Sequence, residues 1–300
     1  MKFKNTVIAV AVMFLLLGVA LLPALFGDSS GAPLVGPDLS TFEYEEVEFF
    51  NGDLRLAGMI FVPEGEGPFP VAVIIHGSGS SRRNSKWYLS VTRSLQDSGI
   101  AVLLPDKRGC EKSEGNWVGA NFEVLAGDTL AAVEFVRNRE EIDSSKIGLV
   151  GMSQGGWIAP VAASRDESIS FVVSMSGSTV TTDQQLLYEE INNISEFTWP
   201  FIARLIAPTT TKRIQQMEYF QPISAFDPIP YWQKIEVPIF FAFGENDSNV
   251  PVDASIDVLR ANPIAARIEI YPAGGHAIRS RETNKVSTEF LDDLVGFIQQ

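Results

Sequence analysis

Six short stretches of this chain are apolar almost throughout: "VAVIIHG" (71–77), "IAVLLPD" (100–106), "KIGLVG" (146–151), "FVVSMSG" (171–177), "PIFFAFG" (238–244) and "RIEIYP" (267–272). A strand with one wet face alternates polar and apolar residues. A continuously apolar run must be covered on both faces, as in a parallel sheet lying between helices. Helical patterns are predicted at 87–98 and 124–139, and a third at 283–298 closes the chain. Strand alternating with helix specifies an α/β fold with a mostly parallel, doubly wound sheet. Ahead of these runs, "YEEVEFF-NG-DLRLAGMIFVP" reads as a hairpin turning at Asn51-Gly52, so the sheet starts with an antiparallel pair and is mixed. The rhythm breaks between Gly177 and Pro238, where helical, aromatic sequence replaces buried strands. Residues 179–232 are therefore read as a helical cap inserted into a catalytic domain formed by 43–178 and 233–300.

Three hundred residues suit one large domain of this kind. A net charge of −14 excludes the phosphate backbone of a nucleic acid as an expected partner. Cys110 is the single cysteine and His76 and His276 are the only histidines, so neither a disulfide nor a Cys- or His-based metal site is expected. The beginning of the chain stands apart. Lys2 and Lys4 precede an uncharged run from Val7 to Phe26, a length near the lower limit for crossing a bilayer. Residues 1–32 are read as a signal anchor, or alternatively as a signal peptide cleaved near Ser30-Gly31-Ala32, with the lysines cytoplasmic and the remainder exported. Residues 33–42 continue a Gly-, Ser- and Pro-rich tether and are read as a linker.

Within "KIGLVGMSQGGWIAPVAA" (146–163), a predicted strand meets a predicted helix at Ser153. A sharp strand-to-helix turn strains the residue at its apex and needs small neighbours, which Gly151 and Gly155 provide. Such a turn projects the serine hydroxyl above the sheet, with a helix N-terminus behind it to favour negative charge. A serine hydroxyl needs a base, and the base an orienting acid. His276 follows the last strand in "YPAGGHAI", and Asp247 follows the preceding strand in "FGENDSNVP". Both lie on loops leaving the C-terminal ends of strands, where open α/β sheets gather their sites. Glu245 is the competing acid and Asp253 a weaker one. In "PDKRGCEKSEG" (105–115), Asp106 and Arg108 are expected to pair and brace the surrounding loops.

The order Ser153, Asp247, His276, the G-x-S-x-G turn and the strand–helix rhythm together resemble the α/β-hydrolase fold from about Tyr44 onward. More narrowly, "HGSG" at 76–79, Arg83, "DKRG" at 106–109, Ser113 and "GMSQGG" at 151–156 are similar to bacterial serine esterases. The chain departs from that group at Arg82, Asn84 and Glu111. The resemblance implies that the loop after the first buried strand supplies half of an oxyanion hole, and the residue after the nucleophile the other half. Ser78 and Gln154 are the backbone N–H donors so implied, with His76 supporting the loop. It also implies an acyl-enzyme esterase without cofactor or metal, acting on small acyl esters. A serine peptidase, a thioesterase or acyltransferase, and a non-catalytic hydrolase-fold binding module are the alternatives. Phe197, Trp199, Phe201, Tyr219 and Phe220 give the cap apolar surface, and Trp199 and Phe201 are the residues expected to line the substrate pocket. The number of subunits does not follow from the sequence.

Overall fold

The computed structural model describes residues 32–300, together with the isolated Gly18. The apolar run Val7–Phe26, Gly18 apart, lies outside the described residues. Among those described, no helix is long and apolar enough to cross a membrane.

Eight strands form one sheet in the order β1-β2-β4-β3-β5-β6-β7-β8. The hairpin is β1 (Glu45–Asn51) and β2 (Leu54–Phe61), and β2 runs antiparallel to β4 (Ala101–Pro105). From β4 across β3 (Phe69–Ile75), β5 (Ile142–Met152), β6 (Ile169–Met175), β7 (Ile239–Gly244) and β8 (Arg267–Tyr271), every pairing is parallel. The expected α/β-hydrolase architecture, a mixed but mostly parallel sheet, is the one observed. The hairpin turn is centred one residue later than the sequence suggests. Asn51 pairs with Leu54, and Gly52 takes the left-handed position at φ +60°. The Asn51 amide is instead committed to Asp128, donating a bond of 2.8 Å.

The apolar runs are buried on both faces because successive side chains point to opposite sides. Val71, Val73 and Ile75 enter one core, while Ala72 and Ile74 enter the other. The first core is closed by α2 (Phe122–Arg137), α3 (Gly155–Ala163), the short α6 (Ile229–Trp232) and α7 (Val252–Ala261). The second is closed by α1 (Lys86–Asp97) and α8 (Thr288–Ile298), which contribute Leu89, Leu95, Phe290 and Leu294. The inserted segment folds as α4 (Thr182–Ser195) and α5 (Pro200–Ile214), followed by a single 3-10 turn at Gln221–Ile223. A capping box at Thr181 and Gln184 starts α4, satisfying N–H groups that the helix itself leaves open.

Within residues 33–42, read as linker, the stretch from Leu34 to Phe42 is packed. Leu34 and Leu39 lie against the second core, and Phe42 is buried within it. The Arg93 guanidinium sits 3.8 Å above the Phe42 ring. Small, polar composition suggests a tether, but three apolar side chains spaced along it find a groove beside α1.

Candidate active site

Ser153 sits between the end of β5 and the start of α3, in the left-handed region at φ +54°. That conformation costs free energy for a residue with a side chain and persists only where its surroundings enforce it. Here the Ser153 N–H donates to Met175 O at 2.9 Å, and Ser153 O accepts from the Gly156 N–H at 2.8 Å. The neighbouring glycines are needed for close approach. A Cβ on Gly151 would lie 2.3 Å from Gly155 O, and one on Gly155 would lie 2.3 Å from Ile75 O.

The structure brings Ser153, His276 and Asp247 together. Ser153 Oγ lies 2.9 Å from His276 Nε2, and His276 Nδ1 lies 2.8 Å from Asp247 Oδ2. A carboxylate accepts only, so Nδ1 carries the proton and Nε2 accepts from the serine hydroxyl. Asp247 is buried, and its other oxygen accepts the N–H groups of Asn249 at 2.8 Å and Val250 at 3.0 Å. The competing acids are turned elsewhere. Glu245 is exposed and accepts the Ala273 N–H at 3.0 Å, and Asp253 is exposed on α7. The cap contributes to this arrangement: Tyr188 of α4 donates its hydroxyl to Asp247 O at 2.9 Å.

The loop after β3 passes beside the nucleophile, since a Cβ on Gly77 would come 3.2 Å from Ser153 Cβ. Ser78 and Gln154 both border the cavity in front of Ser153. Among the described residues, neither of these two backbone N–H groups donates a hydrogen bond to the protein. His76 lies beneath the loop. Its Nε2 donates to Pro105 O at 2.5 Å, and its ring meets Tyr88 edge-on, while Tyr88 Oη accepts the Gly77 N–H at 2.9 Å. Burial pushes the His76 pKa down to about 4, outweighing the Pro105 bond, so the ring is neutral in the working range.

The expected Asp106–Arg108 pair does not form. The chain turns at Arg108 just past the strand end, and each charge finds a partner from elsewhere in the fold. Asp106 is clasped by Arg83, whose Nη2 lies 2.6 Å from Oδ2, while Arg108 pairs with Asp128 at 2.6 Å. Arg83 also reaches Glu46 at 2.7 Å. Lys107, to which the sequence reading gives no role, is buried at the heart of the site. Its ammonium donates to Gly77 O at 2.7 Å, Gly79 O at 3.0 Å and Gln154 Oε1 at 3.2 Å. A lysine directly after a buried strand is a signal of sorts, but only the packed loops reveal that it points inward.

The cavity beside Ser153 has a volume of about 320 Å³. Leu186, Ile214, Phe220 and Ile223 from the cap give it an apolar wall. Trp199 and Phe201, the expected pocket residues, are not among those that border it; they are 41% and 62% exposed, Trp199 as the N-cap of α5 and Phe201 on its first turn. The aromatic supply of the cap is split: Tyr219 and Phe220 border the cavity, and Phe197 is exposed. Gln185, Glu189 and Glu190 add polarity that the aromatic reading did not anticipate. Burial raises the Glu189 pKa, Glu190 and Asp247 add to the rise, and His276 opposes it.

The family model described as "BAAT / Acyl-CoA thioester hydrolase C terminal" matches residues 130–281, and that of the X-Pro dipeptidyl-peptidases (S15 family) matches 51–201, each spanning half of the chain. The chain belongs to the α/β-hydrolase superfamily. This α/β-hydrolase is 27% identical to Esterase EstD of Thermotoga maritima over 230 residues, which cover 71% of the chain and 54% of EstD. It is 35% identical to Thiohydrolase aneE of Aspergillus aculeatus over 135 residues, 44% of the chain and 41% of that protein. The rat acylamino-acid-releasing enzyme is 23% identical over 84% of the chain, but only 34% of that enzyme is covered. The chain thus spans about half or less of the length of these curated relatives. Among solved structures, an esterase of Pyrococcus furiosus superposes with a TM-score of 0.66 at 19% identity, covering 90% of this chain and 98% of its own. By name these relatives are an esterase, a thiohydrolase and an acylamino-acid-releasing enzyme.

Proposed function

We propose that the protein cleaves carboxylic esters through an acyl-enzyme. The observation that carries this reading is the continuous hydrogen-bonded series Ser153–His276–Asp247, set on a strained turn beside a cavity. Ser153 Oγ attacks the acyl carbon as its proton passes to His276 Nε2. The tetrahedral oxyanion accepts the N–H groups of Ser78 and Gln154. Collapse breaks the ester C–O bond, and the departing alcohol takes the proton from His276. Water then attacks the acyl carbon, its proton passing to His276. The second collapse releases the acid, and Ser153 recovers its proton. Asp247 holds His276 in the required tautomer and stabilises its cation.

Ser153→Ala is expected to abolish fluorophosphonate labelling and to cut p-nitrophenyl ester turnover by about 10⁴-fold or more. Undiminished labelling of that variant would overturn the assignment. Sequence and charge further support an exported body tethered by the run from Val7 to Phe26. Recovery of the full-length chain in the soluble cytoplasmic fraction would refute this.

A second reading has its own support. Glu189 and Glu190 face the cavity, while the ammonium of Lys107 already has three acceptors. Two carboxylates suit a substrate bearing a protonated amine, and they disfavour a polyanionic thioester such as an acyl-CoA. If aminoacyl substrates are preferred, Glu189→Gln should lower kcat/KM for them and leave neutral esters nearly unchanged. A panel of acyl esters, thioesters and aminoacyl anilides separates the two readings.

A further inference from the structure

The buried ammonium of Lys107 touches both halves of the oxyanion hole. We propose that Lys107 is a positioning residue that polarises the Ser78 N–H through its own peptide and ties the Gln154 donor in place through that residue's side chain. The inference rests on the reading of Ser153 as nucleophile and concerns how its transition state is held.

The argument turns on one peptide unit. Gly77 O and the Ser78 N–H belong to the same peptide, and the bond is trans, so the two groups point in opposite directions. Lys107 Nζ fixes the carbonyl end at 2.7 Å, which fixes the N–H end as well. A cation hydrogen-bonded to a carbonyl also withdraws charge along the amide, making its N–H a stronger donor. Gly79 O, at 3.0 Å, anchors the far side of the same turn, where Gly79 has φ +71°. The third bond, to Gln154 Oε1, reaches the residue whose N–H is the second donor. Three ammonium protons thus meet three acceptors, and the loop after β3 is tied to the start of α3. The Lys107 N–H, donating to Ser81 Oγ at 3.2 Å, adds a fourth link between the loops.

This arrangement bears a cost that packing alone does not explain. Burial pushes the Lys107 pKa down to about 8, opposed by Cys110. Around it, His76 is neutral, Asp106 is paired with Arg83, Arg108 is paired with Asp128, and Glu189 and Glu190 lie across the cavity. Among the described residues, no carboxylate bonds the ammonium directly. A charge buried against carbonyls instead of a counter-ion places its field where an oxyanion forms.

The test uses the full chain and a fluorophosphonate, whose reaction reports the His276-activated nucleophile and the oxyanion hole without a deacylation step. Lys107→Met keeps the side-chain length without charge or donors, and Lys112→Met, an exposed lysine of the same loop, is the control. Labelling of Lys107→Met is expected to slow by roughly 10²-fold, with kcat for a p-nitrophenyl ester falling and KM within about twofold of the parent. The parent rate should also decline as pH rises through about 8, and the variant should lack that alkaline limb. A folded Lys107→Met that labels within about threefold of the parent overturns the proposal. If the variant does not fold, the parent profile decides. A single loss on the alkaline side with the fold intact supports the role, and a flat rate through the whole alkaline range overturns it. A parent protein that does not label at all refutes the serine-hydrolase reading itself, which is a distinct result.

Discussion

Asp247 and Glu245 are two residues apart in the same loop, yet their environments differ completely. Asp247 is buried, accepts two backbone N–H groups and bonds His276, whereas Glu245 is exposed and bonds Ala273 N. Asp247→Asn is therefore expected to lower kcat by about 10⁴-fold through the wrong histidine tautomer, with Glu245→Gln within about tenfold of the parent. Steady-state kinetics of the pair check this, and the reverse order would move the acid. His76 makes a separate pH statement. Its folded pKa, about 4, lies below the usual histidine value of 6.5, so the unfolded chain binds more protons between the two. Stability should then rise with pH through that window and fall as pH drops from 6.5 to about 4, by up to about 3 kcal/mol. Denaturant melts of His76→Gln should show a flatter dependence over the same range.

The cap is tied to the body by its first helix, and both that helix and its later part shape the cavity. Because Trp199 and Phe201 project from the exposed start of α5, replacing either with Ala should leave acyl-chain preference unchanged. Ile214, at the other end of α5, borders the cavity and is the residue that should matter. Each acyl methylene buried against the apolar wall contributes about 0.8 kcal/mol, close to fourfold in kcat/KM. Ile214→Trp should shorten the longest ester accepted, measured with p-nitrophenyl esters of graded length. An unchanged length profile in that variant would show that the wall formed by α5 does not limit the acyl chain.

Across the molecule, segments far apart in sequence are joined by buried charge and by the packed strap at 34–42. Asp106 is almost fully buried and depends on Arg83, whose other bonds reach Glu46 on β1. Removing Arg83 alone leaves an uncompensated buried carboxylate, so Arg83→Met should cost about 3–5 kcal/mol in urea unfolding. The double change with Asp106→Asn should recover part of that loss. Leu34, Leu39 and Phe42 close the groove beside α1, so a fragment beginning at Glu43 should be less stable than one beginning at Ala32 by at least about 2 kcal/mol. Equal melting of the two fragments would mean that the strap is only draped over the surface.

The sheet was legible before any coordinates because uninterrupted apolar runs leave a strand no solvent face, and their alternation with helices admits few topologies. The turn at Ser153 was legible for a similar reason: Gly151 and Gly155 are demanded by close approach along the chain itself, a local steric fact. The order of serine, acid and histidine along successive strand ends was visible too, because an open parallel sheet brings those ends to one edge. What local sequence does not carry is the direction of side chains across loops. Asp106, Lys107 and Arg108 are consecutive, yet one pairs with Arg83, one lies under the oxyanion loop and one reaches Asp128. The cap shows the same division. Its helices and aromatics were evident, but which of them meet the cavity depends on how α4 and α5 dock, and docking placed Phe220 inside and Phe201 in solvent. Periodicity and steric need act between near neighbours in the chain, so a sequence records them. Charge pairing and burial act between residues that only the completed packing makes neighbours.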